Sequence, residues 1–325
     1  MLPRYCGRSF EKGDCIMKKF LTLLLALAMT LSLAACGSDS TEETEGTDGT
    51  EAETVDYTAM SDDELKAAIT TVSEGTLTVA TSPDFAPYEF YAIGEDGQAT
   101  LAGFEMSLAQ YIADYLGLEL EVVPMDFDGT LMELQNKSVD LGMAGYSPKP
   151  ERENIMDFSD IFYTGGQSFV TTQDKADLFT SLEDTNKAEY SIGAQTGSIQ
   201  VDLAQTNSPD AELIQLPKVT DVITDLLAGN LDGAYIETVV AETYAKNYPE
   251  LNVLLDVPYE QEGSVVGVSK GNAALLEGVN RAIAAALEDG TMDEFITQAN
   301  ELASGETYEG LLDENGQVAE TPAEG

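Results

Sequence analysis

"VDLGMAGYSPKPERENIMDFSD", residues 139–160, carries the decisive pattern. Val139, Leu141, Met143 and Ala144 mark a short buried strand, Gly145 lets the chain turn, and Pro148 and Pro150 stiffen the backbone beyond it. In α/β sheets, ligand groups sit just outside the carboxyl ends of strands. This loop presents Ser147 and Arg152 there. Arginine is scarce, since only Arg4, Arg8, Arg152 and Arg281 occur. A guanidinium so placed is a planar fork that holds a carboxylate with two parallel hydrogen bonds. The alternative is a surface ion pair with Glu151, Glu153 or Asp157.

Outward from this stretch, short apolar runs alternate with helical patterns. Strands are expected at 76–81, 118–124, 139–145, 167–172, 190–194, 212–216, 233–236 and 264–268. Phe104, Leu108, Ile112 and Leu116 recur every four residues and give one helix an apolar stripe. "TDVITDLLAG" and "NAALLEGVNRAIAAALEDG" are also helical, each stopping at a glycine. Ser61 caps a short helix with Glu64 at the capping-box position. This alternation gives an α/β fold with largely parallel sheets.

The chain of 325 residues has 59 acidic and 15 basic side chains and no histidine. From Met17 it reads as two lysines, an uncharged apolar run over Phe20–Ala35, then Cys36, a secretory signal pattern. Residues 1–16 are charged and do not suit a signal starting at Met17, so they read as an upstream start assigned in error. Residues 1–35 hold five basic and two acidic residues, so 10 basic and 57 acidic remain beyond them. Nucleic acid is excluded as a partner, because phosphate affinity depends on Lys and Arg. Ser-His and Cys-His nucleophiles are excluded too, as are the usual zinc sites, and no cofactor or metal is expected. Beyond residue 35 the only cysteine is Cys36, so no disulfide forms within that part. Residues 36–60 read as an acidic disordered stalk and 304–325 as an acidic tail. Arg281, in mid-helix, reads as exposed.

"LTVATSPDFAPYEF", "LAGFEMSLAQYIADYLGLELEVVPMDFDGTLMELQNKSVDLGMAG", "PKPERENIMDFSDIFYTGGQSFV", "IGAQTGSIQ" and "AGNLDGAYIE" together resemble the extracellular solute-binding protein family 3, in order and spacing, over more than 200 residues. The segment ending at Cys36 resembles the lipobox of bacterial lipoproteins, whose cysteine is lipidated. The first resemblance implies a periplasmic-binding-protein-like fold, two α/β lobes joined by two hinge crossovers with the ligand cleft between them. One lobe would hold 74–163 and 267–303, the other 168–262. It implies a monomeric, non-enzymatic receptor on the outer face of the cytoplasmic membrane. Such a receptor binds a free polar amino acid and docks on an ABC importer's permease.

Carried onto this sequence, the resemblance pairs Arg152 with the ligand's α-carboxylate and Glu237 with its α-ammonium. Ser147 and the Gly145 backbone fall at the ligand's polar end. Ser198 and the Ile199 N–H would add donors at a helix N-terminus, where an anion is favoured. Phe85 and Phe127 match the aromatics that flank the ligand side chain, with Tyr88 nearby; from spacing alone all three read as core. Ser82 stands where relatives that bind cationic or amide side chains often carry Asp, a departure from the basic amino acid pattern. Gln195, facing the side-chain pocket, favours a polar neutral ligand, and cationic ligands stay open. Two alternatives remain: a carboxylate-dependent dehydratase on the same fold, with Glu237, Glu89 or Asp84 as acid or base, and an amino acid sensor.

Overall fold

Phe104, Leu108, Ile112 and Leu116 do fall on one buried helical face, none more than 5% exposed in the computed structural model of the chain. The structure describes residues 55–94, 97–260, 263–305 and 307–308. The signal segment, Cys36, most of the expected stalk and most of the tail lie outside the described residues.

The strands are β1 (Thr76–Thr81), β2 (Asp84–Phe85), β3 (Glu89–Ile93), β4 (Ala99–Ala102), β5 (Glu119–Pro124), β6 (Leu141–Gly142) and β7 (Met156–Phe158). There follow β8 (Gln167–Thr172), β9 (Ser191–Gln195), β10 (Glu212–Leu216), β11 (Gly233–Glu237), β12 (Leu251–Asp256), β13 (Gly267–Ser269) and β14 (Thr307–Tyr308). The helices are α1 (Asp62–Ala68), α2 (Phe104–Leu116), α3 (Phe127–Asn136), α4 (Ile199–Asn207), α5 (Val219–Ala228), α6 (Thr238–Asn247), α7 (Ala273–Glu288) and α8 (Thr291–Ala303).

Two five-stranded sheets result, ordered β5-β1-β6-β13-β7 and β10-β9-β11-β8-β12. A small antiparallel sheet of β2, β3, β4 and β14 flanks them. Both large sheets are largely parallel, as expected: in each, four strands run one way, and only β13, between β6 and β7, or β8, between β11 and β12, runs against them. Strands β7, β8, β12 and β13 flank the two crossovers between the sheets, which a bridge between Tyr163 and Ser264 ties together. Strand residues of period two send side chains to opposite faces. Leu77 and Val79 of β1 thus join the α2 and α7 core, while Ala80 joins Phe127 and Leu134 of α3. In the second sheet Val170 and Ala234 face α5 and α6, and Phe169 and Tyr235 face the α4 side.

Helix α1 carries the full Ser61–Glu64 capping box. Glycine at α2's entry is obligatory, since Gly103 has φ 126° and a Cβ there would lie 2.0 Å from the Tyr88 carbonyl oxygen. Two expectations need correction. Arg281 is not an exposed surface cation: it pairs with Glu277 and Asp62 and donates to the Tyr57 and Thr58 carbonyls. Those bonds fix Tyr57–Ala59 as a 3-10 turn, so order begins inside the segment read as stalk. Likewise β14 falls within the expected tail.

Leu108, fully buried between the sheet and its neighbouring helices, tests this packing. Leu108→Ala should cost about 2–5 kcal/mol of unfolding free energy, read from denaturant melts.

Candidate functional site

The loop after β6 buries a cation. Arg152 lies in the 3-10 turn Pro150–Asn154 and is 5% exposed. Its Nη1 donates to the Ser147 carbonyl at 3.3 Å and its Nη2 to the Gly197 carbonyl at 3.1 Å. The guanidinium also sits 5.5 and 5.6 Å from the ring centroids of Phe127 and Tyr146, a cation–π arrangement. No ion pair among the described residues includes Arg152, so the surface alternative with Glu151, Glu153 or Asp157 does not form. Burial lowers its pKa, but a guanidinium keeps its proton in proteins. The result is a buried positive fork whose hydrogen-bond acceptors are two neutral carbonyls.

Gly197 belongs to the opposite lobe. There β9 ends, Gly197 turns with φ +78°, and Ser198 starts α4. The Ser198 hydroxyl donates to the Gln195 carbonyl at 2.7 Å, and no side chain caps the helix. The first-turn N–H groups of α4 therefore keep the positive end of the helix dipole uncapped. Ile199 and Gln200, which carry those groups, share a wall with Arg152.

That wall encloses a cavity of about 10 Å³, room for one water at most. Phe85, Phe127, Gly145, Ser147, Arg152, Gln195, Ser198 and Ile199 line it, with Ala144 and Gln200, which the sequence did not single out. Gly145 has φ +61°, and a Cβ there would meet Phe85 Cε1 at 2.5 Å, so glycine is needed twice over. Its N–H donates to both Glu105 oxygens, at 3.1 and 3.2 Å.

Ser82, Tyr88 and Glu237 are not on the cavity wall. Ser82 is buried and donates to Asp84 Oδ1 at 2.8 Å. Tyr88 packs in an aromatic group with Phe85, Phe104 and Tyr163. Glu237 ends β11 and caps α6, its Oε2 accepting from the Val240 N–H at 2.9 Å. Its Oε1 is buried with no hydrogen-bond partner, beside Gly165 and near the Tyr88 hydroxyl.

Several contacts span the two walls. Besides the Arg152–Gly197 bond, Asp84 accepts from the Val219 N–H and the Gln195 amide, and the Tyr244 hydroxyl donates to the Asp84 carbonyl. Lys149 pairs with Asp202 at the rim, beside a second cavity of about 250 Å³.

Buried acids around the site were the part that sequence reasoning placed least well. Burial pushes Asp84 up to about 6 and Glu105 and Glu237 to about 7. Glu89, fully buried against Glu105, is held well above the usual carboxylate range by burial and by that neighbour. Two carboxyls in one dry site cannot both ionise readily. Their one visible sequence signal is an acid set within apolar runs, in "PYEF" and "GFEM".

The model of the bacterial extracellular solute-binding proteins, family 3, matches residues 77–299. The chain is 30% identical over 281 residues to the arginine-binding extracellular protein ArtP of Bacillus subtilis, covering 85% of this chain and 96% of that protein. Among solved structures, the substrate-binding protein AbpA of an amino acid ABC transporter from Streptococcus pneumoniae, bound to L-arginine, superposes with a TM-score of 0.69. The pair is 31% identical, over 75% of this chain and 100% of that one. A cyclohexadienyl dehydratase of Pseudomonas aeruginosa is 26% identical over 180 residues, 55% of this chain and 66% of the enzyme.

The raised carboxyls set the sign of a pH effect. Asp84, Glu89, Glu105 and Glu237 bind protons more readily folded than unfolded. Their stabilising contribution is full below the ordinary carboxylate range and is lost as pH rises through about 6 to 7. The melting temperature at fixed salt should therefore be higher at about pH 5 than at about pH 7.5, and Glu105→Gln should shrink the difference.

Proposed function

The chain belongs to family 3 of the bacterial extracellular solute-binding proteins, and on that footing we propose that it takes a free polar amino acid between its two lobes and delivers it to the membrane permease of an ABC importer. The buried, carboxylate-free Arg152 carries this reading. An α-carboxylate takes the guanidinium fork and the open N-terminus of α4 together. The α-ammonium goes to Glu237, whose Oε1 is a buried acceptor without a hydrogen-bond partner. Phe85 and Phe127 flank the side chain from the other lobe's face. Entry requires the walls to part about the two crossovers and close again, a hinge motion of two rigid lobes.

Charge narrows the ligand class. Arg152 is the buried cation of the site, against the buried carboxyls of Asp84, Glu89, Glu105 and Glu237. A positively charged ligand is favoured by those carboxyls to the extent that they ionise, and ArtP is an arginine-binding protein while AbpA is bound to L-arginine. L-arginine is thus the first candidate, within the wider polar class. Cys36 serves as the lipid anchor at the outer face of the cytoplasmic membrane, and the receptor acts as a monomer. A dehydratase is the competing reading, since a Glu237 carboxyl near 7 suits general acid–base work. The full-length match to ArtP favours the receptor over the partial match to the dehydratase.

Replacing Arg152 by Ala should weaken L-arginine binding by about 2–5 kcal/mol in calorimetry, with the circular dichroism unchanged; an affinity within about threefold of wild type overturns the assignment. A second outcome concerns protons. Glu237 is half protonated near pH 7 and must ionise to hold an ammonium. Binding should release protons and tighten as pH rises from about 5.5 to 8. Calorimetry in two buffers of different ionisation enthalpy reads this, and Glu237→Gln should remove it.

A further inference from the structure

Gln195 closes β9 and lines the cavity beside Arg152. Its amide has two ends with opposite chemistry, a pair of donors and an acceptor. The donor end is already engaged: Nε2 donates to Asp84 Oδ2 at 3.3 Å and to the Pro217 carbonyl at 3.2 Å. A proline carbonyl only accepts, so the nitrogen is fixed on that side by its partners. The carbonyl oxygen is the end left for the cavity.

Asp84 comes from the other lobe. It is 6% exposed on β2, and its carboxylate is held by the Ser82 hydroxyl on Oδ1 and by the Val219 N–H on Oδ2. Val219 is the first residue of α5, whose own cap residue, Lys218, offers no side-chain bond. Asp84 therefore caps a helix of the facing lobe, and the Tyr244 hydroxyl secures its backbone carbonyl. The carboxylate reaches Gln195 only when the lobes meet.

We propose that Asp84 is a positioning residue for ligand choice: on closure it takes the Gln195 amide nitrogen, turns the amide oxygen into the cavity, and so makes the side-chain subsite accept hydrogen-bond donors and reject carboxylates. The ligand class is then an amino acid whose side chain ends in a guanidinium, ammonium or primary amide. This inference rests on the amino acid receptor reading above.

The opposite outcome has a clear physical form. An acidic side chain would set a carboxylate against the Gln195 oxygen, two acceptors with no proton between them, and an unmatched buried acceptor is strongly disfavoured.

The test is a calorimetric panel of L-arginine, L-glutamine and L-glutamate on the full protein. Wild type should bind arginine and glutamine at least about tenfold more tightly than glutamate. Asp84→Ala frees the amide to turn over, and the glutamine-to-glutamate ratio should fall by about tenfold. Asp84→Asn can keep its oxygen on Val219 and Gln195 while its nitrogen donates to the Ser82 hydroxyl, so it should retain the preference. Gln195→Met removes the amide and should lose the preference as Asp84→Ala does, which covers the case where that variant folds poorly. An unchanged ratio in Asp84→Ala and Gln195→Met, or a wild type that binds glutamate as well as glutamine, overturns the inference and leaves the receptor reading intact. Failure of all three ligands to bind wild type overturns the inference on ligand class, and failure of a full panel of polar amino acids overturns the receptor reading as well.

Discussion

A guanidinium held out of water between two lobes is the constraint around which this molecule is arranged. Removing an ion from water is expensive unless it is paired and hydrogen-bonded. Here the protein supplies two carbonyls and two aromatic faces to Arg152, and no ion-pair partner among the described residues. One of those carbonyls, that of Gly197, lies across the cleft, so the cation's own solvation is tied to the approach of the walls. The fold serves this arrangement at short range. A two-residue strand delivers the chain to Gly145, prolines hold the loop, and the β9–α4 turn brings an uncapped helix end to the same spot.

Buried acids complement it. Glu105 holds the Gly145 N–H with both oxygens, and Glu89 lies against Glu105 in the same dry layer. That layer touches the cavity wall through the Gly145 N–H. Asp84 works between the lobes, and Glu237 waits at the head of α6 with one oxygen spoken for by the helix. Acids rich enough to keep the surface soluble are thus used inside for quite different ends, and burial alone separates the two kinds.

Much of the fold was legible because it rests on periodicity. The four-residue recurrence through Phe104 to Leu116 specifies a buried helix face, and the capping box at Ser61 specifies where α1 starts. What failed to show were the two- and three-residue strands β2 and β7, too short for a period, and also the longer β3, β4 and β12. Helix α4 has little apolar pattern along its length, so only the family resemblance marked its start, at Ser198 and Ile199. Arg281 looked like a surface residue because its partners, at Asp62 and the backbone of Tyr57 and Thr58, are some 220 residues away in sequence. The site divided the same way. Arg152 and Ser147 announce themselves by a proline-framed loop, whereas the Asp84 contact with Val219 and Gln195 is made only by tertiary docking.

The bridge between Tyr163 and Ser264 has a mechanical consequence. Two separate linkers would let one sheet body twist, slide or tilt against the other. Joined side by side through hydrogen bonds in both directions, at 2.7 Å from Ser264 N to the Tyr163 carbonyl and 3.0 Å from Phe162 N to the Ser264 carbonyl, they form a narrow ribbon that resists shear. A ribbon flexes readily across its flat face and poorly in its own plane. Such a strap favours bending over sliding, so any opening of the two sheets keeps their alignment.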